Sequence, residues 1–162
     1  MLDLVFENHT ADNPPAGGWD EKFFRRILNI GIKKLKIKDE KVEISLNLVG
    51  DAKIRELNKK YRGKNKVTDV LSFPLNPALL KKDGVKETSL KNYGILSLGD
   101  IFICLPVAKK EAIADKMTLQ AKLAQLTTHG FLHLLGYDHE ISAKETKRML
   151  SLENKILKQL NI

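Results

Sequence analysis

The chain has 162 residues, 43% of them hydrophobic and 30% charged, and its 28 basic against 20 acidic side chains leave a net charge of +8. That length suits one domain with a sizeable core, the composition is ordinary for a soluble globular protein, and no apolar run is long enough for a membrane-spanning helix. A single cysteine, Cys104, excludes an internal disulfide and suits a reducing cytoplasm, while the positive charge favours a polyanion, nucleic acid foremost, as partner.

The N-terminal stretch Met1–Glu7 carries acids and no basic start, so neither a secretory signal nor a transit peptide is expected. Leu2–Asn8 alternates apolar and polar residues and predicts a strand. Asp12–Gly18, with two prolines and two glycines, predicts a loop. Asp20 is placed to cap a helix from about Glu21 to Leu35, with Phe23, Phe24, Ile27, Leu28 and Ile32 on its apolar side. Val42–Leu48 alternates cleanly and predicts a second strand, ended by Gly50-Asp51, with Asp51 as the expected cap of a short helix through Tyr61. Val67–Phe73 predicts a further strand, stopped by Pro74. Polar Asn76–Asn92 predicts a loop or partly ordered insert. Ile95–Leu105 is another strand region, and Pro106 suits the first turn of the helix that follows. Thr118–Leu135 predicts a long helix. Ser142 is the expected cap of a last helix to about Gln159, in which Met149, Leu152, Ile156 and Leu160 are spaced for packing. These elements predict one α+β domain over residues 1–162, a mixed sheet of about four strands with four to five helices.

The chain has four histidines, and three of them fall in His129-Gly130-Phe131-Leu132-His133-Leu134-Leu135-Gly136-Tyr137-Asp138-His139. Residues four apart share a helix face, so His129 and His133 can bind one metal ion together. Gly136 can leave the helix in a left-handed conformation and return His139 as a third ligand. Three imidazoles with an open position describe a catalytic zinc site better than a structural one, with one zinc ion expected per chain. The spacing is similar to that of the zincin-like metzincin proteases, whose general-base glutamate falls where this chain has Gly130. That argues against proteolysis.

Two more blocks accompany the motif: Leu57-Asn58 and Tyr61-Arg62 followed by Thr68-Asp69-Val70-Leu71-Ser72-Phe73-Pro74, and Leu98-Gly99-Asp100-Ile101 with Ile103-Cys104. Together with the histidine string they resemble the YbeY-type endoribonucleases, bacterial rRNA-maturation enzymes, over most of the chain. Val67 stands where many members have proline, and Lys81–Asn92 looks longer or more divergent than usual. The resemblance implies a metal-dependent, single-strand-specific endoribonuclease with zinc as its metal. It implies 16S rRNA 3′-end maturation, ribosome quality control, and association with the small ribosomal subunit and assembly factors.

The candidate metal ligands are therefore His129, His133 and His139, and the candidate catalytic residues Arg62 and His129. Guanidinium forks match phosphate oxygens and stay charged, and Arg62 lies in the basic run Lys59, Lys60, Arg62, Lys64 and Lys66. A second cluster, Lys33, Lys34, Lys36, Lys38 and Lys41, is as readily a solvated face. Asp138 can orient His133 or His139, accept a proton, or simply make a turn. Tyr137 can stack on a base or pack against the last helix. Asp69 and Asp100 are read as turn or core residues, His9 as structural or exposed, Met149 as core and Cys104 as a buried thiol. The alternatives are a metallohydrolase of another class, a peptidase or esterase, and a non-catalytic ribosome-assembly factor with a structural metal.

Overall fold

The structure, a computed structural model, describes residues 1–38, 41–75 and 94–162, with the backbone of 80–81 and 84–85. Strand β1 (Leu2–Asn8) leads through a loop to α1 (Glu21–Lys34), where the Asp20 carboxylate accepts from the Phe23 N–H at 3.0 Å. Strand β2 (Lys41–Val49) is followed by α2 (Asp51–Arg62) and then by β3 (Val70–Pro74). Two short strands, β4 (Leu80–Lys81) and β5 (Gly84–Val85), pair with each other inside the stretch read as a loop; the rest of Asn76–Asn92 lies outside the described residues. Strand β6 (Ile95–Cys104) runs directly into α3 (Leu105–Ala114), with Pro106 in the first turn. Helix α4 (Leu119–Leu134) starts at Thr118, whose hydroxyl accepts from the Ala121 N–H, and α5 (Ala143–Leu157) starts at Ser142, whose hydroxyl accepts from Glu145.

The main sheet has the order β1-β2-β6-β3, with β1, β2 and β6 parallel and β3 antiparallel on the edge. This is a mixed sheet, as expected. The alternation of apolar residues decides what each face meets. Leu4, Leu46, Leu48, Leu98, Ile101 and Ile103 join the core under α1, α3, α4 and α5. Val49, Leu71 and Cys104, one position out of phase, point to the other face and pack with Ile54 and Leu57 of α2. Helix α4 is apolar almost all round, as a helix buried between sheet and helices must be, and it touches α1, α3 and α5 as well as β3 and β6.

Three local expectations are corrected. Asp51 does not cap α2: Gly50 is the N-cap, and the Asp51 carboxylate accepts from the Cys104 thiol at 3.3 Å. Strand β3 begins at Val70, not Val67, because the Asp69 carboxylate accepts from the Val70 N–H and the Thr68 hydroxyl and makes a turn there. Pro74 belongs to β3 and does not stop it short, since an edge strand needs no N–H on its outer side. Opposite it, Gly99 has φ +129° and a β-carbon there would collide with the Phe73 carbonyl, so only glycine lets β6 lie this close to the edge strand where its register with β2 shifts.

Candidate metal centre

Helix α4 ends in a Schellman motif that the sequence specifies locally. The Gly136 N–H donates to the His133 carbonyl at 2.9 Å and the Tyr137 N–H to the Leu132 carbonyl at 3.1 Å, with Gly136 at φ +90°. Tyr137 is driven inward, 4% exposed, and the chain turns back over the helix end. The Asp138 carboxylate accepts from the Glu140 N–H at 2.8 Å, and the Thr146 hydroxyl of α5 donates to the His139 carbonyl at 2.7 Å. His139 is thereby returned to the face that carries His129 and His133.

The three rings stand 4.5, 5.2 and 5.3 Å apart, centroid to centroid, and one nitrogen from each lies within 4.8 Å of the others. His129 Nε2 and His133 Nε2 face each other at 3.0 Å. Nitrogens each about 2.0–2.1 Å from a tetrahedral zinc stand roughly 3.3–3.4 Å apart, so this neutral, all-imidazole donor set fits such an ion with small adjustment. Burial, aided by the neighbouring imidazoles, pulls the His133 pKa down from 6.5 to about 4, which keeps its lone pair available.

The carboxylate that orients the triad is one the sequence reading did not single out. Glu153 of α5 accepts from His129 Nδ1 at 2.7 Å, with the two side chains 18% and 29% exposed. A carboxylate on Nδ1 holds the proton there and leaves Nε2 free to coordinate. Its trace in the sequence is an acid at the helical spacing of the buried Met149 and Ile156, four after one and three before the other. Asp138 makes no hydrogen bond to a histidine among those described; its carboxylate serves the turn, and its effect on His133 is a charge nearby that favours the protonated ring.

The triad opens into a cleft of about 800 Å³, lined by Arg62 and Tyr61 as well as by Ser72 and Phe73 of β3. This cleft wraps around the edge strand: the histidines come from the α4 face of the sheet, Arg62 from the α2 face. Arg62 ends α2, beside the left-handed Gly63 cap, and makes no ion pair or hydrogen bond among the described residues. The run after it is held by buried Asn58, whose side-chain amide donates to the Lys66 carbonyl at 2.9 Å. Lys41 of the other basic cluster is paired with Asp3 and Glu43 at 2.9 and 3.0 Å.

Gly130 faces the sheet, not the cleft. Its carbonyl accepts from the Ser72 hydroxyl at 3.1 Å, and a β-carbon there would stand 2.9 Å from Ile101 Cγ2 and 3.0 Å from Ser72 Oγ. The missing side chain at this position thus serves the close packing of α4 on β3 and β6. Tyr137 packs under Arg148 of α5, 5.2 Å from its ring centroid. Met149 is in the core, His9 meets Glu7 and Asn47 on the surface, and Cys104 is buried, which raises its thiol pKa to about 11.

The sequence pattern of the family described as Endoribonuclease YbeY matches residues 7–161. The chain is 39% identical over 140 residues to the Endoribonuclease YbeY of Sulfurihydrogenibium sp. (strain YO3AOP1), covering 86% of this chain and 83% of that one. It is 36% identical over 162 residues to the Endoribonuclease YbeY of Mycoplasma capricolum subsp. capricolum, covering 100% and 91%. A Thermotoga maritima protein known from its solution structure superposes with a TM-score of 0.58 at 26% identity, covering 96% of this chain and 87% of that one. With a pattern match over nearly its whole length and relatives of this similarity, the chain belongs to the Endoribonuclease YbeY family.

Proposed function

We propose that the chain is a zinc-dependent endoribonuclease that cuts single-stranded RNA. On this reading it works in the cytoplasm, in 16S rRNA 3′-end maturation and ribosome quality control, with the small ribosomal subunit and assembly factors as partners. The observation that carries the reading is that three convergent imidazoles share one cleft with Arg62, an arginine without an ion pair among the described residues. The relatives' names supply the substrate class. No helix among the described residues is long and apolar enough to cross a membrane.

His129, His133 and His139 would hold the ion, and when bound it supplies a Lewis acid for a phosphoryl oxygen and a water of lowered pKa. Glu153 keeps His129 in the tautomer that offers Nε2, so His129 acts as a ligand set in place by α5. Arg62 grips the scissile or an adjacent phosphate with its guanidinium fork, and its charge matches the extra negative charge that develops during cleavage. The lysines beside it supply diffuse attraction for the backbone. A peptidase reading is disfavoured because the position of the protease glutamate is closed by Ile101 and Ser72.

Metal analysis paired with cleavage assays on single-stranded RNA, duplex RNA and casein tests the proposal. Cleavage of the single strand alone, by protein carrying about one zinc, is expected. Peptide hydrolysis without RNA cleavage across several metals would overturn it. Methylating a single 2′-hydroxyl separates the routes: cleavage lost only at that nucleotide means internal attack, and cleavage retained means attack by water.

A further inference from the structure

With Tyr137 buried, the cleft presents a different aromatic ring to solvent. Tyr61 is 58% exposed, lines the same cleft as the histidines, and directly precedes Arg62. Its ring is held from beneath. Phe73 of β3 lies 5.1 Å away, centroid to centroid, and Phe73 in turn meets Phe102 of β6 at 5.8 Å. Both phenylalanines pack on the small core that α2 makes with the sheet. An aromatic series thus runs from the sheet to solvent, ending in a ring that, among the described residues, has Lys60 over it, the ammonium 5.1 Å from the centroid. An exposed lysine yields easily to a flat ligand and remains nearby for an anion.

We propose that Tyr61, backed by Phe73, is a stacking platform for one unpaired nucleobase of the RNA strand. The inference rests on the RNA reading above and deepens it. Neighbouring positive charge points to a nucleotide over other flat ligands, because a base stacked on Tyr61 brings its phosphates within the reach of Lys60 and Arg62. A base inside a duplex is stacked on both faces and cannot offer one to the ring. Preference for single strands then comes from this contact, in addition to the freedom of the strand to bend into the cleft.

The test measures binding by metal-free protein, so that nothing is cleaved, with a ten-nucleotide oligoadenylate and an abasic ribose-phosphate oligomer of the same length. Tyr61→Ala should bind oligoadenylate about ten- to a hundred-fold more weakly than wild type and the abasic oligomer equally well. Tyr61→Phe should bind both as wild type does. Tyr61→Leu, which keeps an apolar contact on Phe73 without a π face, should behave like the alanine variant. Tyr61→Trp should lose indole fluorescence on adding oligoadenylate but not the abasic oligomer, over the steady signal of buried Trp19. Equal binding of oligoadenylate by Tyr61→Ala and wild type would overturn the platform. So would an equal loss on both oligomers. Wild-type protein that still cleaves RNA in either case leaves the nuclease reading standing, whereas wild-type protein that neither binds nor cleaves RNA removes both.

Discussion

On the histidine wall of the cleft, α4 is buried along most of its length, its end is closed by a Schellman turn, and α5 reaches across to fix His129 through Glu153 and His139 through Thr146. On the facing wall, α2 buries only Ile54, Leu57 and Asn58 and leaves Lys59, Lys60, Tyr61 and Arg62 to solvent. The first wall is preorganised: its groups lose little freedom when they bind. The second is a cationic surface whose long side chains become ordered on binding, at a cost of up to about 2 kcal/mol for each. The contrast suits the two proposed tasks, since a metal tolerates little misplacement and a flexible polyanion needs adaptable contacts.

Breaking the rigid wall should have the largest effect. His133→Ala should abolish stoichiometric zinc, read by elemental analysis, and with it RNA cleavage. Removing the metal from wild type should lower the melting temperature. If the ion stood at about a thousand times its dissociation constant, the loss is about 4 kcal/mol. An unchanged melting temperature after verified removal would show that the triad does not tie the α4 end to its turn.

Breaking the cationic wall should leave the metal untouched. Arg62→Ala should keep full zinc content and lose on the order of 10²–10³-fold in kcat/KM on single-stranded RNA. A rise in KM alone marks a grip on the ground-state phosphate, and a fall in kcat marks action on the transition state. Wild-type kinetics in this variant would remove Arg62 from the reaction.

Glu153→Gln sharpens the comparison, because it touches only the support behind the rigid wall. Zinc affinity should fall roughly 10–100-fold by competition with a chelating dye, with melting of the metal-free protein nearly unchanged. Equal affinity in both proteins would make the Glu153–His129 contact an incidental one.

A separate effect is on pH dependence without metal. His133 has a folded pKa of about 4 against 6.5 when free, held down chiefly by burial. Between these values the unfolded chain takes up a proton that the folded one refuses, so stability falls as pH drops from 6.5 and levels off below about 4. Thermal melts of chelator-treated wild type should show this slope, and His133→Gln should flatten it.

Much of this was legible in the chain itself. The period of apolar residues placed β1, β2, α1, α4 and α5, and Asp20 and Ser142 capped their helices as read. The histidine spacing was enough to bring three rings to one point, because a helix repeat and a left-handed glycine are local properties of adjacent residues. What the chain alone determined stops where contacts between distant segments begin. Glu153 reaches His129 across 24 positions, and Arg62 joins the histidines only because β3 is the edge strand around which two helix ends meet. Tyr137 and Tyr61 are both tyrosines in family-like blocks, and no local rule says which is buried. That was decided by packing: the turn after α4 presses one ring against α5, while the sheet edge leaves the other facing solvent. Gly130 shows the same division, its missing side chain readable in the sequence and the reason for it, the close approach of α4 to Ile101 and Ser72, visible only in the folded molecule.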